Sequence, residues 1–184
     1  VASGEPVETT ELLCGWNLKS VEPGTELTSE FLNAAATAAD DWLSVATLPA
    51  MVPDVLLAHG KIEAPWLPGG TEKCFWMGQK DWVYALRFAA RPGRGSRLRF
   101  LGLDGKAEVY LNGQRLASHS DETVPLTVEV SQALRLENSL VIRFRSKAGK
   151  SAGAEAARQR PKGSYLGPNP DLTSVGIFDQ VWLE

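Results

Sequence analysis

Large apolar residues recur at every second position in five short segments between residues 81 and 145, and this alternation constrains the fold most. The alternating residues are Trp82, Tyr84, Leu86 and Phe88, then Leu98 and Phe100, then Ala107, Val109 and Leu111, then Val124, Leu126, Val128 and Val130, and finally Leu140, Ile142 and Phe144. Successive side chains of a strand point to opposite faces, so each segment presents one apolar and one more polar face. Antiparallel sheets that bury one face have this pattern, whereas buried parallel strands are apolar throughout. The pattern predicts an all-β chain folded as a β-sandwich.

Turn residues separate these segments. Asn112-Gly113 is the strongest short signal for a β-hairpin, because a type I′ turn needs positive φ at both central residues. Asp104-Gly105 predicts a second turn. Strands at regular spacing, without long helices between them, favour a sandwich or jelly roll.

The flanking segments are predicted to be less regular. Strands are predicted over residues 12–21 and 175–184, and one short helix is predicted near 53–59, with Pro53 in its first turn and Gly60 ending it. Residues 30–41 fit either a helical turn or a surface insertion, and residues 147–163 are predicted to be a surface loop.

The 184 residues are long enough to bury a core, and we predict a single domain over residues 1–184. The formal net charge of −3 differs from the basic surface of nucleic-acid-binding proteins, and no apolar run reaches the length that spans a bilayer. We therefore expect neither a nucleic-acid nor a membrane partner. The first residues show no charged and hydrophobic leader, which suits a mature N-terminus, and we favour a bacterial periplasmic or secreted location over a cytoplasmic one.

Residues that carry catalysis are sparse. The two histidines, His59 and His119, lack partners at metal-site or triad spacing, and we expect His59 to have a structural role at a helix end and His119 to hydrogen-bond or lie at the surface. Asp121 and Glu122 are adjacent and point to opposite sides of an extended segment, so they cannot flank one glycosidic bond, and a solvated turn is expected. We expect no catalytic residue, no cofactor and no metal site; the alternative is a Ca²⁺ ion held with help from Asp104, Asp121 or Glu122.

The two cysteines, Cys14 and Cys74, are too few for a disulfide scaffold. Each lies close to a Trp or Phe, which predicts small buried thiols. A single disulfide is the alternative.

Six tryptophans are a high number for this length. Four lie in strand-like or apolar contexts and are predicted to be in the core: Trp16, Trp42, Trp82 and Trp182. Trp66 and Trp76 lie in a segment rich in Pro and Gly. Because aromatic faces stack on the apolar faces of sugar rings, these two are the candidates for contact with a carbohydrate, and a purely structural role is the alternative.

Four segments carry a resemblance to a known family. They are residues 52–65, with Val-Pro at the start and Pro at the end, residues 81–88, with Trp, Tyr and Phe at alternating positions, residues 102–113, ending in Leu-Asn-Gly, and residues 176–184, beginning Gly-Ile-Phe. In order and spacing they resemble the N-terminal sugar-binding domain of glycoside hydrolase family 2, especially its β-mannosidase and β-galactosidase branches.

The resemblance implies a jelly roll of the galactose-binding-like type. In the family this domain precedes an immunoglobulin-like domain and a TIM barrel, and the barrel carries the catalytic glutamates, one of them in an Asn-Glu dipeptide. This sequence contains no Asn-Glu dipeptide, and a (β/α)₈ barrel alone needs about 250 residues. We therefore expect a fragment of a larger multidomain hydrolase that has no catalysis of its own, with carbohydrate and the other domains of the same hydrolase as its partners.

The family's sugar-binding domain also lends loops to the rim of the active site. This sequence departs from the family pattern around Pro65, where Ala64 stands for an Asp and, with one residue inserted, Thr71-Glu72 stands for Asn-Glu, and again in the loop before the last strand. The substrate-binding candidates are Trp66, Thr71, Glu72, Trp76, Tyr165, Asn169 and Asp171. The favoured function is a non-catalytic domain that shapes a carbohydrate site, and the alternatives are a self-standing carbohydrate-binding module and a scaffold for protein association.

Overall fold

The computed structural model describes residues 9–34, 41–70, 72–146 and 174–184. The strands in these ranges are β1 (Thr10–Glu11), β2 (Asn17–Val21), β3 (Leu43–Ser44), β4 (Ala50–Met51), β5 (Asp81–Ala89), β6 (Arg97–Phe100), β7 (Leu103–Asp104), β8 (Ala107–Leu111), β9 (Gln114–His119), β10 (Leu126–Glu129), β11 (Glu137–Phe144), β12 (Gly176–Ile177) and β13 (Val181–Leu183). The helices are α1 (Ser29–Ala34), α2 (Val52–Ala58) and a 3₁₀ helix over Glu72–Gln79. None of these helices is both long and apolar enough to cross a bilayer.

The strands form three antiparallel sheets. The six-stranded sheet has the order β3-β2-β5-β11-β8-β9, the four-stranded sheet β1-β13-β6-β10, and the small sheet β4-β12-β7. Neighbouring strands in every sheet run antiparallel. The predicted all-β sandwich of the jelly-roll type is confirmed, and the helix predicted near 53–59 is α2.

The main core takes one face of each large sheet. Leu140, Ile142 and Phe144 of β11 point into it, and Leu98 and Phe100 of β6 do so from the four-stranded sheet. This is the alternation that the sequence displays, because a period of two places every second residue on the buried side.

The opposite face of the six-stranded sheet is also buried at its centre, where α1 packs against it. Val83 and Ala85 of β5 and Val141 of β11 are buried there against Leu32 of α1. The prediction of a wetter second face is therefore wrong for β5 and β11. At the centre of the sheet, the residues of these strands that face away from the main core are apolar, as in strands buried on two sides.

The predicted hairpin turn is confirmed. Asn112 has φ 52° and Gly113 φ 84°, as a type I′ turn requires, and β8 pairs with β9 across it. Asn112 Nδ2 donates to the Ala133 carbonyl at 2.8 Å and to Asn138 Oδ1 at 3.0 Å, so the turn is bonded to the loop before β11 and to β11 itself. At the second predicted turn Gly105 has φ 115°, but the chain passes there from the small sheet to the six-stranded sheet.

Several sequence predictions need correction or lie outside the described residues. Residues 12–21 form a strand only over β2, the predicted last strand is divided into β12 and β13, and Val124 precedes β10 and is exposed. The start of the 30–41 segment is α1, whereas residues 35–40 and the predicted loop over 147–163 are outside the described residues.

The tryptophan and cysteine predictions are confirmed in part. Trp16 and Trp82 are in the main core, whereas Trp42 is half-buried against Phe31 on the other side of the six-stranded sheet. Trp182 is also half-buried, because it lies between the inward-pointing Val181 and Leu183 and therefore faces outward. Cys74 is buried, but Cys14 is exposed, and both are free thiols.

Candidate functional site

Three of the seven predicted substrate-binding residues lie in described parts of the chain, and they share one segment. Trp66 is in the loop after α2, and Glu72 and Trp76 are in the 3₁₀ helix. The other four are outside the described residues: Thr71, Tyr165, Asn169 and Asp171. We call residues 63–79 the aromatic segment.

The aromatic segment exposes four large apolar side chains. Trp66 is 71% exposed, Leu67 53%, Phe75 43% and Trp76 36%. Trp66 and Trp76 are thus at the surface, as predicted. Leu67 and Phe75 are also exposed, and the sequence prediction missed them. Their place in a Pro- and Gly-rich segment without strand or helix periodicity could have indicated that they lie at the surface. Exposed apolar residues gathered in one segment are typical of a binding surface.

The segment is held firmly against the sandwich. The rings of Trp76 and the buried Trp82 lie 5.8 Å apart, and Trp82 Nε1 donates to the Met77 carbonyl at 2.9 Å. Cys74 and Met77 are buried on the inner side of the 3₁₀ helix. The exposed rings of Phe75 and Trp76 are therefore carried by a helix with its own anchors in the core.

The loop that carries Trp66 is tightly folded. The Leu67 amide donates to the Ala64 carbonyl at 3.1 Å, and the Gly70 amide donates to the Leu67 carbonyl at 2.8 Å. A Cβ atom at Gly70 would lie 2.5 Å from the Ala64 carbonyl oxygen, so this turn needs glycine for space. Lys73 Nζ and Glu63 Oε2, 2.6 Å apart, link the 3₁₀ helix to the start of the loop.

The charges of the segment are mostly solvated. Glu63, Glu72 and Lys73 are exposed, so their carboxylates and ammonium group are available to hydrogen-bond a polar ligand. Burial raises the pKa of the Cys74 thiol, and the Glu63 charge adds to the rise. Cys74 therefore stays protonated at neutral pH and is a packing residue, not a nucleophile.

Two of the other polar candidates, His59 and Asp121, have hydrogen-bond partners. His59 follows the last residue of α2, and its Nε2 lies 2.8 Å from the Ser44 carbonyl oxygen, so its predicted structural role is confirmed. His119 ends β9, as predicted, and its Nε2 is buried without a hydrogen-bond partner in the described ranges. Asp121 Oδ1 accepts hydrogen bonds from the Thr123 amide at 3.0 Å and the Thr123 hydroxyl at 2.6 Å, which lower the pKa of the Asp121 carboxyl. The predicted solvated turn is confirmed there.

Within the described ranges no three His, Cys, Asp or Glu side chains are placed to hold a metal ion.

A sequence profile described as "Glycosyl hydrolase 2 galactose-binding domain-like" matches residues 16–173. Beta-mannosidase B of Emericella nidulans is 27% identical over 150 residues, which are 80% of this chain and 18% of the relative. Beta-mannosidase B of Thermothelomyces thermophilus is 31% identical over 140 residues, 74% of this chain and 16% of the relative. The chain thus spans less than a fifth of the length of these curated relatives.

Solved structures share the fold at low sequence identity. The beta-D-mannosidase from Dictyoglomus thermophilum superposes with a TM-score of 0.72 at 22% identity, over 97% of this chain and 22% of that one. A β-glucuronidase from Ruminococcus gnavus superposes with a TM-score of 0.61 at 16% identity, over 100% of this chain and 31% of that one. In both, a sandwich of this kind is one part of a larger chain.

Proposed function

This chain belongs to the glycosyl hydrolase 2 galactose-binding domain-like family, and from that membership we propose that it is a non-catalytic N-terminal domain of an exo-glycosidase of the β-mannosidase or β-galactosidase type. The names of the curated relatives support the β-mannosidase type. The small share of their length that the chain spans supports a longer protein in which other regions carry out hydrolysis. Fold membership alone does not set a substrate, so the role of this domain must come from its surface.

Exposed aromatic side chains on a firm support are the observation that carries this proposal. Trp66 is 71% exposed on a tightly hydrogen-bonded loop, and Trp76 is supported from below by Trp82. An indole presents a flat apolar face that matches the C–H face of a pyranose ring, and the rigid support limits the entropy lost on binding. We infer that the aromatic segment forms one wall of the carbohydrate site of the complete enzyme.

Each candidate has a distinct role in this proposal. Trp66 and Trp76 stack on sugar rings, and the Glu72 carboxylate accepts hydrogen bonds from hydroxyl groups. The remaining proposed contacts are four residues outside the described ranges: Thr71, Tyr165, Asn169 and Asp171.

The test uses the complete enzyme that contains this chain. With aryl β-mannosides and β-galactosides as substrates, Trp66→Ala should raise KM by about tenfold and change kcat little, because it removes binding without touching the reacting groups. The matched control is Leu136→Ala, since Leu136 is 69% exposed beside Ala90, at the opposite end of β5 from the 3₁₀ helix. A KM that stays at the wild-type value in Trp66→Ala would refute the role of the aromatic segment in substrate binding.

A scaffold role is the second candidate, and the exposure of Leu67 and Phe75 favours it. Apolar side chains without hydrogen-bonding groups suit a contact with another protein domain better than a contact with a sugar. Under this alternative, Phe75→Ser lowers the thermal midpoint of the complete enzyme, while KM stays unchanged in both Phe75→Ser and Trp66→Ala. The same pair of variants therefore separates the two functions.

A further inference from the structure

The outer face of the four-stranded sheet carries a second tryptophan surface, well separated in sequence from the aromatic segment. The strand register places Thr127 of β10, Arg99 of β6, Trp182 of β13 and Glu11 of β1 side by side in one row. Thr127, Arg99 and Trp182 point away from the main core, because their neighbours along each strand pack in it, and Glu11 directly precedes the core residue Leu12. We call this row, together with the flanking Arg97, Glu129, Gln180 and Glu184, the β-sheet platform.

The charges of the platform are paired with one another. Arg97 Nε lies 3.7 Å from Glu129 Oε2, and Arg99 Nη1 lies 3.6 Å from Glu184 Oε1. Hydrogen bonds from Ser131 hold the pKa of the Glu129 carboxyl below its usual range, so this pair stays ionised at neutral pH. Two arginines are thus paired with two glutamates, and Glu11 adds a third carboxylate to the platform. A surface balanced in this way does not attract a polyanion, since such a ligand needs unpaired cations.

Trp182 is the apolar centre of the platform. Its ring is half-buried, and its Nε1 donates to Gln180 Oε1 at 3.3 Å, so the polar edge of the indole is satisfied within the platform. On the neighbouring strands, the Arg99 guanidinium is a hydrogen-bond donor and the Glu11 carboxylate an acceptor. A flat aromatic ring bordered by such groups fits a ligand with an apolar face and a rim of hydroxyl groups.

We propose that the β-sheet platform binds a neutral polysaccharide chain through Trp182, at a site distinct from the aromatic segment. The four strands extend the row over about 14 Å, three times the spacing between neighbouring strands. That length suits a chain of sugars more than a single ring. Such a surface keeps its domain on a polymeric substrate and does not take part in the hydrolytic step. It does not depend on the proposed role of Trp66.

Affinity electrophoresis of this chain tests the proposal, because weak binding to a polymer is visible as slower migration. The native gels contain galactomannan, yeast mannan or hydroxyethyl cellulose as neutral probes and polygalacturonate as the anionic probe. The wild-type chain should be retarded by at least one neutral polysaccharide. Trp182→Ala should weaken that retardation by about tenfold, because it removes the aromatic face. Trp182→Leu keeps apolar bulk at the position and should show the same loss if the flat ring is what binds.

Leu136→Ala is the matched control, because Leu136 is 69% exposed and belongs to neither surface, and it should be retarded like the wild type. Four results would overturn the proposal: no retardation by any neutral polysaccharide, retardation by polygalacturonate alone, Trp182→Leu migrating like the wild type, or retardation lost in Trp66→Ala and kept in the Trp182 variants. The last result would instead assign binding to the aromatic segment.

Discussion

The carboxylate of Asp81 is buried, and both of its oxygens accept hydrogen bonds. Arg143 Nε donates to Asp81 Oδ2 at 2.8 Å, and Arg143 Nη2 donates to the same oxygen. The Ser146 amide donates to Asp81 Oδ1 at 2.6 Å, and Arg143 Nη1 donates to the Thr25 carbonyl at 2.7 Å. The pair therefore joins β5 to β11 and fixes two connecting segments at one end of the six-stranded sheet.

Removing one member of this pair should be costly. Asp81→Ala should lower the free energy of unfolding by about 3–5 kcal/mol, because the Arg143 guanidinium would stay buried without its counter-charge. Glu63→Ala is the matched control, since it breaks the exposed pair with Lys73 and should cost less than about 1 kcal/mol. Urea unfolding of both variants measures the difference. Equal losses would show that the Asp81 pair contributes no more than a surface ion pair.

At the scale of elements, the small sheet depends on close contact at β12. A Cβ atom at Gly176 would lie 2.8 Å from the Tyr84 hydroxyl and 2.9 Å from the Met51 Cα, and Gly176 has φ 140°. The Tyr84 hydroxyl donates to the Ala50 carbonyl at 2.9 Å, so β5, β4 and β12 meet at this point. Glycine provides both the space and the backbone conformation.

Gly176→Ala should therefore destabilise the fold by about 3 kcal/mol or more, since neither the backbone of β4 nor the buried Tyr84 can move freely. Gly24→Ala is the control: Gly24 also has positive φ, but no atom would lie within 4 Å of its Cβ, and only backbone strain of about 1 kcal/mol is expected. Thermal unfolding followed by circular dichroism compares the two. A Gly176→Ala midpoint no lower than that of Gly24→Ala would contradict the steric account.

Strands and turns that depend on neighbouring residues could be predicted from the sequence. The packing of other segments over those strands could not. The alternation that defines β5, β8 and β11 depends on neighbouring residues, as does the turn at Asn112-Gly113. The cover that α1 provides over β5 and β11 depends on contacts between segments far apart in sequence, for which the short α1 pattern gave no sign. The outward position of Trp182 could have been predicted, because Val181 and Leu183 on either side of it point into the core. Its aromatic side chain instead favoured a core position.

The same limit applies to the candidate site. The Pro- and Gly-rich context of Trp66 and Trp76 predicted a loop with exposed rings, and both rings are exposed. The support beneath them could not be predicted, because it needs Trp82 and Met77 to meet a 3₁₀ helix. The remaining candidates, Thr71, Tyr165, Asn169 and Asp171, stay predictions.

At the scale of the whole molecule, the chain belongs to its family as one domain. We propose that the catalytic carboxylates are in another part of the complete enzyme. The sandwich superposes on about a fifth of a β-mannosidase chain and about a third of a β-glucuronidase chain. Its two tryptophan surfaces have different expected functions: the aromatic segment lines the carbohydrate site of the complete enzyme, and the β-sheet platform binds polymer. The first of these functions needs a larger protein that supplies the hydrolytic step.

The length of the native polypeptide tests this claim most directly. Immunoblotting of source cells with an antibody against this chain should detect a band several times larger than the 19.9 kDa of the sequence, and that product, once purified, should hydrolyse an aryl β-mannoside or β-galactoside. A native band that migrates at the mass of this chain alone would contradict the account and leave the self-standing carbohydrate-binding module as the function to test.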